Sequence, residues 1–331
     1  MRRGLATAAL VALLVIDAVL VAVALRPGGL HGPPAGTAVA TQVPGSTAST
    51  PTTTGPPTRT SGPTGAPTTP TATPRPTTSA PTNPTTATAT ATPVALLVAG
   101  VDASTAYRGA TGTCRSGGAT LEVTTDGGAT WTTLRPPVRA LPRVQPLDSA
   151  RVFVIGSSGA CEPRQYASRD RGSTWQAPAA VTGSWARRLD DPASILAPRA
   201  TDPKPCGGAT VVDLSRTSAT RAQALCAGGE VVGSSDGGLT WRAEGAAAGG
   251  VALSNLDDSG VVTYVARVVG ACGGVQVVRV ETDRSTVVAC VGSAAPRDGR
   301  VALSVTPQAG WLVVGDQTWS AAGDLRSWRE V

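Results

Sequence analysis

The hydrophobic and polar positions divide the chain into three parts. Residues 5–25 are apolar except for one threonine and one aspartate, and residues 26–93 are mainly Pro, Thr, Ala, Ser and Gly. Beyond them, short runs rich in β-branched residues alternate with Gly and Asp-Ser turns, with almost no helical periodicity. Examples are the runs at 152–155, 261–265 and 311–314. Short apolar runs between turn residues are typical of β-strands, so the pattern predicts an all-β domain over residues 94–331.

A turn signal, often containing aspartate, precedes many of these runs. It occurs five times, most weakly at the last position, at 101–104, 147–150, 189–192, 256–260 and 306–310. The intervals are 46, 42, 67 and 50 residues, and all but the third are close to the length of a four-stranded unit. We therefore expect each turn to lie early in such a unit. The long interval is expected to hold an insertion or a degenerate additional unit.

An octapeptide of the form Ser/Thr-x-Asp-x-Gly-x-Thr-Trp occurs three times in the same domain. Its defining positions are Thr124, Asp126, Gly128 and Trp131, then Ser168, Asp170, Gly172 and Trp175, then Ser234, Asp236, Gly238 and Trp241. A degenerate copy ends at Trp328. Asp and Ser/Thr side chains accept hydrogen bonds from backbone N–H groups in tight loops, glycine takes a positive φ, and the tryptophan covers the hairpin. These residue types predict a structural role.

The octapeptide resembles the Asp-box, or BNR repeat, of β-propellers such as sialidases, sortilin-type receptors and photosystem-assembly-factor-like proteins. The resemblance implies a propeller of five or six four-stranded blades, with the turns early in each blade and the octapeptide later in the same blade. It also implies that the box closes hairpins at the rim, away from the ligand-binding face. About 235 residues are enough for such a ring, whose radial closure leaves only short, protected sheet edges.

The N-terminal segments predict a membrane tether. Residues 5–25 form an apolar run of about 21 residues, which spans about 31 Å as a helix, and Arg2 and Arg3 precede it. The positive-inside rule then places residues 1–4 in the cytoplasm and the β domain outside the plasma membrane. The length favours an uncleaved single-pass signal anchor over a cleaved signal peptide, and cleavage after residues 22–24 stays open. For Asp17, we favour a tolerated, protonated acid over a contact with a partner helix.

The segment from 26 to 93 is predicted to be a disordered stalk. Its Pro/Thr-rich composition cannot bury enough apolar surface to offset the conformational entropy lost on folding. Extended at about 3.1 Å per residue, such a stalk could reach about 200 Å, far enough to carry a domain into a cell wall.

All six cysteines lie in the β domain, which the topology places outside the membrane. An even number there predicts three disulfides. Local spacing at the ends of expected hairpins favours Cys206–Cys226 and Cys272–Cys290, which leaves Cys114–Cys161 between neighbouring blades. A zinc site is disfavoured because the domain has no histidine and no CxxC spacing. Calcium at the paired aspartates of the turns at 190–191 and 257–258 is also disfavoured, so no metal or cofactor is expected.

The net charge of +6 does not indicate nucleic-acid binding. The domain after residue 93 is close to neutral and has no run of Lys or Arg, so a nucleic-acid partner is disfavoured. Of the 28 basic residues only Lys204 is lysine, and Ala, Thr, Pro and Gly are abundant. This bias is typical of a GC-rich, actinobacterial genome.

The sequence lacks the catalytic set that a sialidase-like hydrolase would need. Members of that family are similar in an Arg-Ile-Pro-type motif, three arginines for the substrate carboxylate, a Tyr/Glu nucleophile pair and an Asp acid/base. The corresponding stretch here is Tyr107-Arg108-Gly109-Ala110, and none of the three tyrosines lies in such a nucleophile motif. Without a histidine in the domain, a Ser-His-Asp triad is excluded. We therefore expect no catalytic site.

The prediction is a membrane-tethered extracytoplasmic propeller that binds, or acts as a scaffold for, a cell-surface protein or a wall glycan. The alternative is a sialidase-like glycoside hydrolase, degenerate and inactive or unrecognised. The two differ in whether three arginines and a Tyr/Glu pair converge at the central channel. Arg108, Arg164 and Trp185 are expected to be exposed loop residues, with structural or incidental roles.

Overall fold

The computed structural model describes residues 92–331, apart from Asp257, Asp258 and Val261. Secondary structure in this part of the chain consists of β-strands joined by turns and loops. The expected anchor at 5–25 and almost all of the expected stalk lie outside the described residues. Over the residues that are described, no helix has the length and hydropathy that a membrane crossing requires.

Five antiparallel sheets of four strands each form the domain, and each is a meander in chain order. We call them blades 1 to 5. Blade 1 contains β1 (Leu96–Gly100), β2 (Ala106–Ala110), β3 (Thr120–Thr124) and β4 (Thr132–Leu134). Blade 2 contains β5 (Ala140–Pro146), β6 (Val152–Ser157), β7 (Pro163–Ser168) and β8 (Ala179–Ala180).

A two-stranded sheet of β9 (Ala186–Arg187) and β10 (Ile195–Leu196) follows blade 2. Blade 3 contains β11 (Val211–Arg216), β12 (Ala222–Cys226), β13 (Glu230–Ser234) and β14 (Arg242–Ala246). Blade 4 contains β15 (Gly250–Asn255), β16 (Thr263–Arg267), β17 (Val275–Val280) and β18 (Ser285–Val291). Blade 5 contains β19 (Val301–Val305), β20 (Ala309–Val314), β21 (Gln317–Ala322) and β22 (Trp328–Glu330).

The first strands of the sheets form a closed ring. In order, β1, β5, β9, β11, β15 and β19 each contact the next, and β19 contacts β1. The fold is therefore a β-propeller with five four-stranded blades. The two-stranded sheet occupies a sixth place in the ring between blades 2 and 3. Its turn, at 189–192, begins the 67-residue interval in which an insertion or a degenerate additional blade was expected.

The second strands carry much of the core. All residues of β12 and β20 are buried, because each blade packs between two neighbours and both faces of these strands are covered. The sequence of β20 accordingly runs apolar without alternation, whereas β12 contains one buried polar residue, Gln223. Small residues such as Ala222 and Ala224 alternate with larger ones such as Leu225 and Leu312 across the blade interfaces.

The turns between first and second strands lie where the sequence predicts them in five of six cases. In blade 1, Asp102 Oδ1 accepts hydrogen bonds from the backbone N–H groups of Ser104 and Thr105, both at 2.8 Å. Asp148 makes the same pair of contacts in blade 2, with Ala150 and Arg151. The turn in blade 3, Thr217–Arg221, was missed because serine replaces the aspartate. There Ser218 Oγ accepts from the N–H groups of Thr220 and Arg221.

A second repeat, missed in the sequence, joins the inner strands. Blades 3, 4 and 5 each carry Val-x-Leu-Ser on the first strand, ending at Ser215, Ser254 and Ser304. Each serine Oγ accepts a backbone N–H from the first strand of the next blade. The donors are Asn255 at 3.1 Å, Val305 at 2.8 Å and Gly100 at 2.9 Å, respectively. The last of these bonds closes the ring between blades 5 and 1.

Three disulfides are present, Cys114–Cys161, Cys206–Cys226 and Cys272–Cys290, and they are the three expected pairs. Their Cα–Cα distances of 5.3, 5.6 and 5.7 Å are ordinary for disulfides. The first joins the β2–β3 loop of blade 1 to the β6–β7 loop of blade 2. Removal of such a crosslink typically costs about 2–4 kcal/mol of stability.

The serine contacts between inner strands lead to a prediction. Substitution Ser254→Ala removes the acceptor of the Val305 N–H group and leaves that donor buried without a partner. We expect a loss of about 1–3 kcal/mol in the free energy of unfolding, measured by denaturant titration of the full-length protein. Ser327→Ala, an exposed serine, is the matched control and should stay within about 0.5 kcal/mol. Equal effects of the two substitutions would contradict the interpretation.

Candidate functional site

The octapeptides lie between the third and fourth strands of blades 1, 2 and 3. In blade 3, Asp236 Oδ1 accepts hydrogen bonds from Thr240 N at 3.0 Å and from Ser234 Oγ at 2.9 Å, and its Oδ2 accepts from Thr240 Oγ1 at 2.6 Å. Ser234 Oγ in turn accepts from Gly238 N at 3.0 Å. The carboxylate is thus engaged inside its own loop.

The same contacts recur in the other two copies. Asp126 is bonded to Thr124 and Thr130 in blade 1, and Asp170 to Ser168 and Thr174 in blade 2. The threonine hydroxyl and backbone N–H bonds lower the pKa of all three aspartates to about 2. These carboxylates therefore stay ionised near neutral pH and are poorly suited to accept a proton in catalysis.

The glycines of the octapeptides allow close contact with the preceding unit of the ring. Gly238 has a φ of +96°, and a Cβ built there would lie 2.6 Å from the Cβ of Ala197. Gly128 has a φ of +94°, and its Cβ would lie 2.4 Å from a methyl carbon of Val331. Both positions thus require glycine for conformation and for space.

Pairs of tryptophans form two interfaces of the ring in the same way. Trp131 meets Trp311 edge to face at 6.2 Å, and Trp241 meets Trp185 edge to face at 5.9 Å. The indole N–H groups of Trp311 and Trp185 donate to the carbonyls of Asp102 and Ser218, which hold equivalent places in the first turns of blades 1 and 3. The expectation of an exposed Trp185 was wrong, since its side chain is 1% exposed.

The two arginines named with Trp185 lie on strands rather than loops. Arg108, on β2, pairs with Glu122 at 2.9 Å, and its guanidinium carbon lies 4.0 Å from the ring centroid of Trp131. It also donates to Thr318 Oγ1 in blade 5 at 2.7 Å, so it is a half-buried contact between blades. Arg164, on β7, is more exposed and pairs with Glu162.

The central channel is the space enclosed by the six inner strands, and it contains a cavity of about 270 Å³. Every strand of the ring contributes to its lining, from β1 round to β19. Three arginines and one aspartate are the charged residues among the described lining residues: Arg143, Arg187, Arg216 and Asp213. The channel therefore carries an excess of positive charge.

Two of these charged residues form a structural pair. Arg187 is buried, donates to the carbonyls of Val94 and Val212, and has its Nε 3.9 Å from Asp213. Asp213 accepts backbone N–H groups of Leu214 and Leu253, both at 2.8 Å. Burial raises the pKa of Asp213 and lowers the pKa of Arg187, because desolvation disfavours both charges. The pair therefore joins β9, β11 and β15.

The other two arginines have no carboxylate partner within the described part of the chain. The half-buried Arg143 donates to the Trp185 carbonyl at 2.5 Å and to Gln145 Oε1 at 2.8 Å, and both acceptors are neutral. Arg216 has no ion pair or side-chain hydrogen bond with any described residue. Burial, and secondarily the like charge of Arg216, lower the pKa of Arg143 to about 9, so Arg143 remains a cation at neutral pH.

A nucleophile and acid/base set does not accompany these arginines. Tyr107 and Tyr166 are buried in the core of blades 1 and 2, Tyr264 lies on β16, and none of them lines the channel cavity. No glutamate is among its described lining residues. Among described residues there is also no group of three or more His, Cys, Asp or Glu side chains that could hold a metal ion. The channel is thus chemically equipped for binding an anion.

A second cavity, which we call the lateral cleft, has a volume of about 500 Å³. It lies among the β2–β3 loop, the β6–β7 loop and the two-stranded sheet, and the Cys114–Cys161 disulfide lines it. Of the arginines that line it, Arg188 is paired with Asp190 and Asp202, each within 2.8 Å. The charge of Arg188 is therefore already neutralised.

Sequence reasoning did not identify Arg143 or Arg216. Neither lies in a repeated motif, and the sequence contains many arginines without indicating which ones face the axis. The Val-x-Leu-Ser repeat could have found the inner strands of blades 3 to 5, and with them the position of Arg216 directly after Ser215.

No protein-family model and no curated protein matches the sequence. Among solved structures, the chain is similar to YCF48 bound to D1 peptide, with 18% identity over 73% of this chain and 67% of that one and a TM-score of 0.28. It is similar to the SapL1 lectin in complex with alpha methyl fucoside, with 11% identity over 73% and 97% and a TM-score of 0.45.

A third similar structure is the GH74 enzyme of Niastella koreensis, with 12% identity over 69% of this chain and a TM-score of 0.30. The chain spans 46% of the length of that enzyme. At these identities and TM-scores the similarities assign no ligand and no activity to this chain.

The lowered pKa of the octapeptide aspartates predicts a pH dependence. A folded-state pKa near 2, below the unfolded value of about 4, gives stability that is present above pH 4 and lost as the pH falls towards 2. Asp236→Asn should therefore lower the melting temperature at pH 7, and its difference from the wild type should shrink between about pH 4 and pH 2. Thermal unfolding of the full-length protein, followed by circular dichroism, measures both.

The control for this experiment is Asp283→Asn, in the β17–β18 hairpin of blade 4, which has no octapeptide. It should leave the pH dependence of the melting temperature unchanged. A destabilisation by Asp236→Asn that stays constant down to pH 2 would show that the charge of Asp236 does not contribute.

Proposed function

We propose that this protein is a membrane-tethered extracytoplasmic binding module, or scaffold, for a cell-surface protein or a wall glycan. One observation carries the proposal: the central channel has a cavity with two arginines that lack carboxylate partners among the described residues, and the described lining holds no acid/base pair beside them. A site with positive charge available for a ligand, and without catalytic groups in its described lining, is suited to binding rather than to catalysis.

The lining of the channel argues against the glycoside-hydrolase alternative. Glycoside hydrolysis generally needs two carboxyl groups, about 5–9.5 Å apart, or a tyrosine nucleophile in the sialidase type. Of the described residues that line the cavity, only Asp213 has a carboxyl group, and it is held by two backbone N–H groups beside Arg187. Three arginines are present, as the alternative requires, but the Tyr/Glu pair that it also requires does not accompany them.

We interpret the three octapeptides as Asp-boxes with a purely structural role. Their aspartates and serine or threonine residues are satisfied within the loops, and their tryptophans and glycines pack against the preceding unit of the ring. They stabilise the blades without facing the cavity, since none of their residues lines it. This interpretation leaves the channel, rather than the boxes, as the site of recognition.

The proposed tether follows from the sequence. The apolar segment 5–25 would anchor the chain and the Pro/Thr-rich segment 26–93 would act as a spacer between the membrane and the propeller. A binding domain on a long spacer can search the envelope for an immobile ligand. That arrangement suits recognition at the cell surface.

The proposal is tested by binding of the purified full-length protein, in a neutral detergent, to envelope fractions of its own organism. We expect saturable binding that unlabelled protein competes away. Protease treatment of the envelopes separates the partner classes: a protein partner predicts loss of binding, and a wall glycan predicts its retention.

A heat-unfolded, reduced sample of the same protein is the control for adsorption to the envelopes. Binding that does not saturate, or that the unfolded sample shows equally, would contradict a binding module. Release of soluble sugars from the envelopes in proportion to the protein added would favour the hydrolase instead.

A further inference from the structure

Within the proposed binding function, the geometry points to a specific ligand chemistry: we propose that Arg143 and Arg216 bind a carboxylate of an acidic peptide in the central channel. The proposal rests on the proposed function and deepens it by naming the site and the chemical class of ligand.

The first support is the arrangement of charge. Both residues line the same cavity, and neither has a carboxylate partner in the described part of the chain. Asp213 cannot serve as their counter-ion, because two backbone N–H groups and Arg187 already engage it. Two unpaired cations in one partly buried space repel each other, and a bound anion would relieve that repulsion.

The second support is donor capacity. Arg143 uses two of its guanidinium nitrogens on neutral oxygens, and the guanidinium of Arg216 has all of its donors free of described partners. A planar guanidinium fork matches the two oxygens of a carboxylate. Arg143 is held in place by Trp185 and Gln145, so its position is fixed before the ligand arrives.

The shape of the site favours a peptide side chain over a glycan. The cavity of about 270 Å³ is slightly smaller than the roughly 300–1,000 Å³ of typical ligand pockets, which suits a single side chain. Sugar rings are commonly held against an aromatic face. Trp185 is the only aromatic residue among the described lining residues, and it is buried against Trp241.

The site faces a defined end of the channel. Arg216 is the last residue of β11, directly before the turn to β12, and the octapeptide of blade 3 bonds to that turn through Gly237 N and Thr220 O. Arg216 therefore lies at the end where the octapeptides lie. This is opposite to the ligand-binding face that the Asp-box resemblance implies.

The test measures binding of two fluorescein-labelled hexapeptides to the full-length protein in neutral detergent at low ionic strength. The peptides differ only in having Glu or Gln at the two central positions. We expect the Glu peptide to bind at least about tenfold more tightly, since charge-assisted bonds to arginine are the source of the affinity. Equal affinity for the two peptides would overturn the proposal.

Variants locate the site. Arg216→Gln should weaken binding of the Glu peptide about tenfold. Arg216→Lys keeps the positive charge but not the planar guanidinium, so its affinity should lie between those of the wild type and Arg216→Gln. Arg284→Gln removes an exposed arginine outside the channel and should stay within about twofold of the wild type. If Arg284→Gln costs as much as Arg216→Gln, the attraction is a general effect of net charge and the proposal fails.

Two further arms separate the ligand class and the function. A trisaccharide of uronic acid that displaces the Glu peptide and binds more tightly would assign the site to a glycan and overturn the peptide proposal. Envelope binding that Arg216→Gln leaves unchanged would overturn the channel as the site while the binding function stands. If the wild-type protein does not bind the envelopes, the proposed binding function fails. The comparison of the Glu and Gln peptides still tests whether the channel binds a carboxylate.

Discussion

Closure of the ring is the constraint on which the rest of the structure depends. Blade 5 must meet blade 1, and the hydrogen bonds across that interface include Gly100 N to Ser304 Oγ, Trp311 Nε1 to the Asp102 carbonyl, and Arg108 to Thr318 Oγ1. The edge-to-face pair of Trp131 and Trp311 packs beside them. A ring without this contact would expose the strand edges and apolar faces of both terminal blades.

The same constraint creates the channel and gives it its chemistry. A sixth position in the ring is filled by only two strands. Its interface with blade 3 has the same two contacts as the interface between blades 5 and 1: Trp241 packs edge to face on Trp185, and the Trp185 indole N–H donates to the Ser218 carbonyl. The ring thus keeps six inner strands with five full blades. Six strands leave a narrow channel, and the side chains that reach its axis decide what it can hold. Buried charges there are tolerated when paired, as Arg187 and Asp213 are, and Arg143 and Arg216, which have no carboxylate partner among the described residues, are the departure on which the proposed ligand rests.

The sequence predicted the fold because its strongest signals are local. Turn chemistry and short apolar runs report a hairpin from within a few residues, and the cysteine spacings report pairings close in sequence. The blade count was left at five or six, because two strands of two residues each, β9 and β10, carry too little pattern to be read. Trp185 was wrongly expected to be exposed, and Arg143 was missed, for a different reason: their environment comes from residues far away in the chain, such as Trp241 and Arg216. A site built across a ring has no continuous motif.

The measurement that tests the account most directly is photo-crosslinking of the Glu hexapeptide, with a benzophenone group beside the central glutamates, to the full-length protein. Mapping by mass spectrometry should place the crosslinks in residues 142–146 and 213–216, on the inner strands of blade 2 and blade 3 that line the channel. Crosslinks confined to the lateral cleft, at 113–116 or 187–190, would contradict the account. Such crosslinks would place the binding site beside the two-stranded sheet rather than at the axis of the propeller.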